Sequence, residues 1–126
     1  MLYLDTNILI YLFELHDPYS KQVATILEES TNNGMQLVTS TITVTEFLAG
    51  TTSSSLEILH KVPNLNIIPV DENLAEQAAI LQRKNNLKIG DSIHLATAIK
   101  QEAKAFFTND KKLSKVVEKY MSVISL

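Results

Sequence analysis

Three of the five aspartates in this chain lie where predicted strands end or predicted helices begin. Asp5 and Asp110 each follow an apolar run that predicts a strand, and Asp91 starts a predicted helix. The other two, Asp17 and Asp71, are explained by a turn and by a helix cap. A fold that brings the first three together would therefore create a cluster of carboxylates.

Glu46 is a fourth acidic candidate, set among the apolar neighbours Val44, Phe47 and Leu48. Carboxylates without cysteines or paired histidines suit a hard divalent cation such as Mg²⁺ or Mn²⁺, which prefers oxygen ligands. Four negative groups in one pocket repel each other and raise at least one pKa, and a cation relieves that repulsion. The four acids thus predict a magnesium or manganese site.

Each acid also has a simpler explanation when it is taken alone. Asp5, Asp91 and Asp110 stand at helix starts, where an aspartate commonly caps free backbone N–H groups. Glu46 could be the polar side of a short helix. The metal site therefore depends on the four residues meeting at one place.

The composition narrows the possible chemistry. The chain has 126 residues, 45% of them hydrophobic and 20% charged, which predicts one soluble domain. It contains no cysteine, which excludes disulfides, zinc thiolate sites, iron-sulfur clusters and a thiol nucleophile. No apolar run reaches the roughly 20 residues that cross a bilayer, and the N-terminus does not read as a signal peptide. We expect a cytoplasmic protein that does not engage a membrane.

The formal net charge of −3 looks unfavourable for a protein that meets RNA. Setting the four candidate acids aside from the 14 acidic residues leaves 10 against 11 basic ones. The charge therefore does not exclude a phosphodiester substrate. The only arginine is Arg83, so phosphate contacts would rest on lysines, with Lys111, Lys112, Lys115 and Lys119 as candidates. A solvated helix face is the alternative explanation for these lysines.

Strands and helices alternate along the whole chain. The predicted strands are Met1–Leu4, Gln36–Thr39, Leu65–Val70, Ala105–Thr108 and, less regularly, Ser122–Ser125. Leu65–Val70 is rich in branched residues, as in a strand buried on both faces. The pattern predicts an α/β fold, a three-layer α/β/α sandwich around a parallel sheet of four to five strands. Such sheets bind ligands beyond the carboxyl ends of their strands, where the strand order reverses.

The helix signals between the strands are local. Ile8, Leu9, Leu12 and Phe13 recur at helical spacing after Asp5. A turn at Asp17 and Pro18 leads to a helix that Gly34 ends. Further helices are predicted over Val44–Ala49, through Leu56 to Val62 with a Ser54–Glu57 capping box, after Asp71, from Asp91 onward and over Lys111–Tyr120.

Four segments together resemble a known family. They are YLDTNILIYLF from Tyr3, TVTEFLAG from Thr43, IGDSIHLATAIK from Ile89 and FFTNDKKL from Phe106. In this order and spacing they resemble the PIN domain, especially the VapC-type toxin ribonucleases of toxin-antitoxin pairs, across essentially the full chain. Any one segment is weakly specific, whereas four in order form a strong signal.

The resemblance implies a metal-dependent endoribonuclease that cleaves single-stranded or loop RNA. It also implies a homodimer held inactive by a small antitoxin. Asp5, Glu46, Asp91 and Asp110 map onto the family's acidic quartet, and Thr108 maps onto its polar neighbour. Asn7 and Asn109 are looser candidates, since an asparagine beside such an aspartate often only shapes the turn.

Other interpretations remain open at this stage. His94 lies one turn after Asp91, which suggests a proton shuttle or a ligand, although a histidine packed in an apolar helix is the plainer account. The chain could be a non-catalytic RNA-binding module of the same fold. It could also be a receiver-like phosphoacceptor domain, although Asp5 lacks the adjacent acid that such a domain would need. Leu12, Phe13 and Leu56 could serve a dimer or antitoxin groove, or simply the core.

Overall fold

The computed structural model describes residues 1–14, 18–52 and 56–126. All five predicted strands are present and form one parallel sheet in the order β3-β2-β1-β4-β5. The strands are β1 (Leu2–Leu4), β2 (Leu37–Ser40), β3 (Leu65–Ile68), β4 (Ala105–Phe107) and β5 (Ser122–Ile124). The predicted α/β class with a parallel sheet is therefore confirmed.

Seven helices are found within the described residues. They are α1 (Thr6–Phe13), α2 (Ser20–Asn32), α3 (Ile42–Gly50), α4 (Glu57–His60), α5 (Glu72–Asn85), α6 (Ile89–Lys100) and α7 (Lys111–Val117). Asp71 caps α5 as predicted, because its Oδ1 accepts from the backbone N–H of Leu74 at 2.8 Å. None of these helices is long and apolar enough to cross a membrane.

Alternation along β1 places helices on both faces of the sheet. Leu2 and Leu4 pack with residues of α1, α2 and α3 in one hydrophobic cluster. Tyr3, between them, points to the other face and packs with residues of α6 and α7. Successive residues of a strand face opposite sides of the sheet, so the sheet divides the core into two halves, one on each face. The result is the predicted three-layer arrangement.

Two details of the sequence prediction are wrong. The composition of Leu65–Val70 predicts burial on both faces, but β3 lies at the edge of the sheet and Asn66 is exposed. The apolar residues of an edge strand need cover on one face only, so composition alone overestimates burial. Helix α6 begins at Ile89, not at Asp91, so Asp91 lies in its first turn and does not cap it. The turn at Asp17 and the capping box at Ser54 fall outside the described residues.

The strand order locates the expected ligand crevice. The chain runs outward from β1 through β2 to β3, then returns to pair β4 on the other side of β1. The reversal therefore lies between β1 and β4, and the carboxyl ends of these strands lead to Asp5 and Asp110. Receiver domains have the order 2-1-3-4-5, so this sheet contradicts the receiver-like alternative.

Candidate active site

A cavity of about 400 Å³ opens at the carboxyl ends of β1 and β4. All four predicted acidic residues line it. Asn7, one of the looser candidates, also lines it, whereas Asn109 lines a neighbouring depression together with Lys111 and Lys115. The structure thus brings the four acids together from four separate segments of the chain.

Asp5 is the most buried of the four acids, at 6% exposure. It caps α1, since Oδ1 accepts from the backbone N–H of Thr6, while Oδ2 accepts from the hydroxyl of Thr108, both at 2.8 Å. Burial raises the pKa of Asp5, and the charge of Glu46 adds to this effect. His94 and the two hydrogen bonds oppose it. Asp5 is therefore both a cap and a wall of the cavity.

Asp110 is exposed and caps α7 through Oδ1, which accepts from the backbone N–H groups of Lys112 and Leu113 at 2.9 and 3.1 Å. The fully buried Thr108 links Asp110 to Asp5. Its hydroxyl donates to Asp5 and accepts from the backbone N–H of Asp110 at 3.1 Å. Thr108, predicted only as a polar neighbour, thus holds the two acidic turns in a fixed relation.

Glu46 reaches the cavity from α3, with its side chain 40% exposed. Its Oε1 accepts from the hydroxyl of Thr6 and from Nε2 of His94, each at 2.7 Å. The hydrogen bond from His94 is the largest cause that lowers the pKa of Glu46, and partial burial works against it. Glu46 is therefore held as a carboxylate by two donors.

Asp91 lies half-buried in the first turn of α6. Burial raises its pKa most, followed by the negative charges of Asp5, Asp110 and Glu46, while His94 opposes the shift. The repulsion expected from a carboxylate cluster is therefore felt at this residue.

The arrangement suits a divalent cation in its chemistry. The donors are carboxylate oxygens, and burial together with their mutual repulsion raises the pKa of Asp91. Among the described residues, however, no three acidic or imidazole groups are arranged so that they could hold a metal ion as they stand.

His94 is the residue whose position the plainer sequence interpretation missed. It is 1% exposed, as a core histidine would be, but its Nε2 contacts Glu46 and lies 3.7 Å from Oδ1 of Asp5. Its Nδ1 lies 2.5 Å from the hydroxyl of Tyr3. The spacing of one turn from Asp91 was the available signal.

Buried threonines also went unrecognised in the sequence. The hydroxyls of Thr39 and Thr43 lie 2.8 Å apart, and those of Thr43 and Thr6 lie 3.0 Å apart. Thr6 then donates to Glu46. This row of hydroxyls runs from β2 to the cavity wall, so it fixes Thr6 and through it the carboxylate of Glu46.

Comparisons with known proteins agree with the fold. The family model described as PIN domain matches residues 2–119. No curated protein sequence gives a significant match. A toxin-antitoxin complex from Klebsiella pneumoniae contains a chain of similar structure, with a TM-score of 0.74 and 26% identity over 98% of this chain and 96% of that one.

Two further solved structures are similar. VapBC2 from Rickettsia felis, bound to a DNA fragment from its promoter, aligns with a TM-score of 0.75 and 21% identity over 100% of this chain and 99% of that one. FitAcB from Neisseria gonorrhoeae aligns with a TM-score of 0.68 and 23% identity, over 98% and 96%. At these identities the two alignments support the shared fold.

Proposed function

The chain belongs to the PIN domain family, and from that premise we propose that it is a Mg²⁺- or Mn²⁺-dependent endoribonuclease that hydrolyses phosphodiester bonds in RNA. One observation carries the proposal. Asp5, Glu46, Asp91 and Asp110, from four separate segments, line one cavity at the point where the strand order reverses. A structural role for each acid alone would not require that they meet.

We assign the four acidic residues different roles according to their positions in the cavity. When bound, a divalent cation would supply an activated water and neutralise the scissile phosphate. We assign Asp5 and Asp110 as direct ligands and Asp91 as a ligand, either directly or through water. Glu46 is assigned as the base that positions the attacking water, or as a ligand of a second cation.

The surrounding hydroxyls hold these carboxylates in place before substrate arrives. Thr108 bonds Asp5 at 2.8 Å, and Thr6 bonds Glu46 at 2.7 Å. Fixed carboxylates lose little freedom when a cation and a phosphate bind, which favours binding and catalysis. The pocket is thus preorganised at its base and open toward solvent at Asp110.

Purified protein incubated with total RNA tests the proposal. We expect cleavage with Mg²⁺ or Mn²⁺ and none with EDTA, and mapped ends would show internal cuts. Single-stranded DNA of matched sequence serves as the comparison substrate. Metal-dependent binding without cleavage would instead support the non-catalytic RNA-binding alternative. Equal cleavage with and without EDTA would contradict a metal-dependent mechanism.

The proposal includes partners and location. The similar structure from Klebsiella pneumoniae is a toxin-antitoxin complex, which supports a small antitoxin as the partner of this chain. Leu12 and Phe13 line an apolar cavity of about 350 Å³ beside α2, and Leu56 is 38% exposed, so apolar surface is available to such a partner. We propose that the protein is a cytoplasmic homodimer. Light scattering in solution would measure its mass.

The lysines that follow Asp110 are proposed to contact RNA. Lys111, Lys112 and Lys115 are exposed on α7 next to the acidic cavity. We expect the double change Lys111→Gln and Lys115→Gln to weaken RNA binding and to reduce the salt dependence. The slope of log Kd against log salt concentration should fall by about 0.7 for each phosphate that the variant no longer neutralises.

Lys61→Gln with Lys104→Gln is the matched control for this prediction. Both lysines are exposed and lie before β3 and β4, at the opposite end of the sheet. The control removes two positive charges, as the test variant does, but far from the acidic cavity. We therefore expect it to lower the RNA affinity far less and to leave the slope of log Kd against log salt concentration unchanged. Equal effects of the two double variants would show that net charge, and not the position of α7, governs binding.

A further inference from the structure

A continuous row of side chains connects the buried core to the acidic cavity. Tyr3 in β1 is fully buried and stacks on Phe106, with ring centroids 4.9 Å apart. Its hydroxyl lies 2.5 Å from Nδ1 of His94, and Nε2 of His94 lies 2.7 Å from Oε1 of Glu46. The row therefore runs from the middle of the sheet, through the imidazole, to a carboxylate that lines the cavity.

The direction of these hydrogen bonds follows from the number of protons available. An ionised carboxylate only accepts, so Nε2 of His94 must donate to Glu46. When the imidazole is neutral it carries one N–H, so Nδ1 then accepts from the phenol of Tyr3. Tyr3 and Glu46 therefore both favour the Nε2–H tautomer.

The two oxygens of Glu46 have different surroundings. Oε1 accepts from both Thr6 and His94. Oε2 has no hydrogen-bond partner among the residues the structure describes, and it lies beside Gly90. A Cβ at position 90 would stand 2.9 Å from Oε2, closer than real Cβ contacts. One oxygen is therefore anchored, and the glycine leaves room for the other.

We propose that Tyr3 and His94 are positioning residues that anchor Oε1 of Glu46, and that Gly90 makes the space in which Oε2 faces cation, water or phosphate. The role in cleavage rests on the nuclease function proposed above. The anchoring itself does not, because it is a property of the protein alone. The two parts can therefore be tested separately.

Nitrogen-15 spectra of His94 test the anchoring in metal-free protein. Histidine-labelled protein in EDTA, at a pH where the imidazole is neutral, should show a protonated Nε2 and an unprotonated, hydrogen-bonded Nδ1, with the signals assigned by their loss in His94→Gln. In Tyr3→Phe we expect Nε2 to stay protonated, because Glu46 still accepts from it, and the Nδ1 signal to move to that of a nitrogen without a hydrogen bond. Tyr120→Phe, which removes a phenol hydroxyl bonded to Asn85 on another part of the molecule, should leave the spectrum unchanged. An unchanged Nδ1 signal in Tyr3→Phe would overturn the proposal.

Cleavage and cation binding test the consequence for the site. Tyr3→Phe and His94→Gln should each lower the cleavage rate and the Mn²⁺ affinity, roughly 10- to 100-fold for loss of a group that orients a ligand. Tyr120→Phe should cleave at the wild-type rate. If wild-type protein does not cleave RNA at all, the proposed function fails and the nitrogen-15 result alone decides the anchoring. Wild-type rates and Mn²⁺ affinity in Tyr3→Phe would overturn the positioning role.

Gly90→Ala is the variant in which a loss of activity could not be attributed to misfolding. Position 90 lies in α6, where alanine favours helix more than glycine does, and only the end of the Glu46 side chain opposes the added methyl. We expect an equal or higher Tm together with a cleavage rate about 10-fold lower, as for other changes that misorient a ligand. Full activity in a folded Gly90→Ala protein would contradict the role assigned to the space at Oε2.

Discussion

The variant Asp5→Asn is expected to abolish metal-dependent RNA cleavage, with a loss of at least about 10²-fold, the size found when one charged or polar group that stabilises the transition state is removed. Asn keeps the shape of the side chain and its Oδ1, which can still accept from the backbone N–H of Thr6 and cap α1. It removes the negative charge that a cation would bind. Initial rates on a defined RNA, at saturating Mn²⁺, measure the effect.

The same variant should stay folded, with a Tm close to that of the wild type at neutral pH in EDTA. The pKa of Asp5 is raised mainly by burial, so its ionised form is the disfavoured one in the folded protein. An uncharged amide avoids that cost and the repulsion from Glu46, which offsets the loss of the hydrogen bond that Oδ2 accepts from Thr108. Loss of activity together with an unchanged or higher Tm would separate a functional role from a structural one.

Asp71→Asn is the control for Asp5→Asn. Asp71 also caps a helix through its Oδ1, but it is exposed and lies at the start of α5, outside the cavity. This variant should cleave at the wild-type rate. Cleavage by Asp5→Asn at a rate equal to that of Asp71→Asn would contradict the assignment of Asp5 as a ligand.

Local signals in the sequence were sufficient for the architecture. Alternation of short apolar runs with helical periodicity predicted all five strands and the parallel sheet, since each strand must be buried between helices. The prediction was wrong where burial depends on neighbours. Leu65–Ile68 has the composition of a central strand but pairs on one side only, at the sheet edge. Strand order depends on contacts between distant segments, so no local pattern could reveal it.

The sequence was sufficient to predict that the four acids lie together, but not which residues hold them in place. Capping and site formation proved compatible: Asp5 and Asp110 cap helices with Oδ1 and also line the cavity. The position of His94 followed from packing, because α6 turns it toward both Tyr3 and Glu46. A buried histidine in an apolar helix gives no sign in the sequence of which partners its two nitrogens will meet.

Stability should depend on pH in opposite ways with and without a divalent cation. In EDTA, Asp5 and Asp91 have pKa values raised above 3.8 in the folded state. The native state then binds more protons than the unfolded chain, so their contribution to stability is present at acid pH and is lost as pH rises through the raised values. Glu46 acts oppositely: its lowered pKa gives a contribution that is present above 4.5 and is lost as pH falls through the folded value.

A bound cation is expected to prevent this loss of stability at higher pH, because it binds the deprotonated carboxylates and offsets their repulsion. At a Mn²⁺ concentration of 100 times Kd, the free energy of unfolding should rise by about 2.7 kcal/mol over its value in EDTA. Denaturant unfolding from pH 4 to pH 8, in EDTA and in Mn²⁺, measures both effects. Asp91→Asn should raise stability in EDTA and reduce the gain from Mn²⁺, since it relieves repulsion and removes a ligand at once. Identical unfolding curves in Mn²⁺ and EDTA across this range would mean that the carboxylates meet in the cavity without binding a cation.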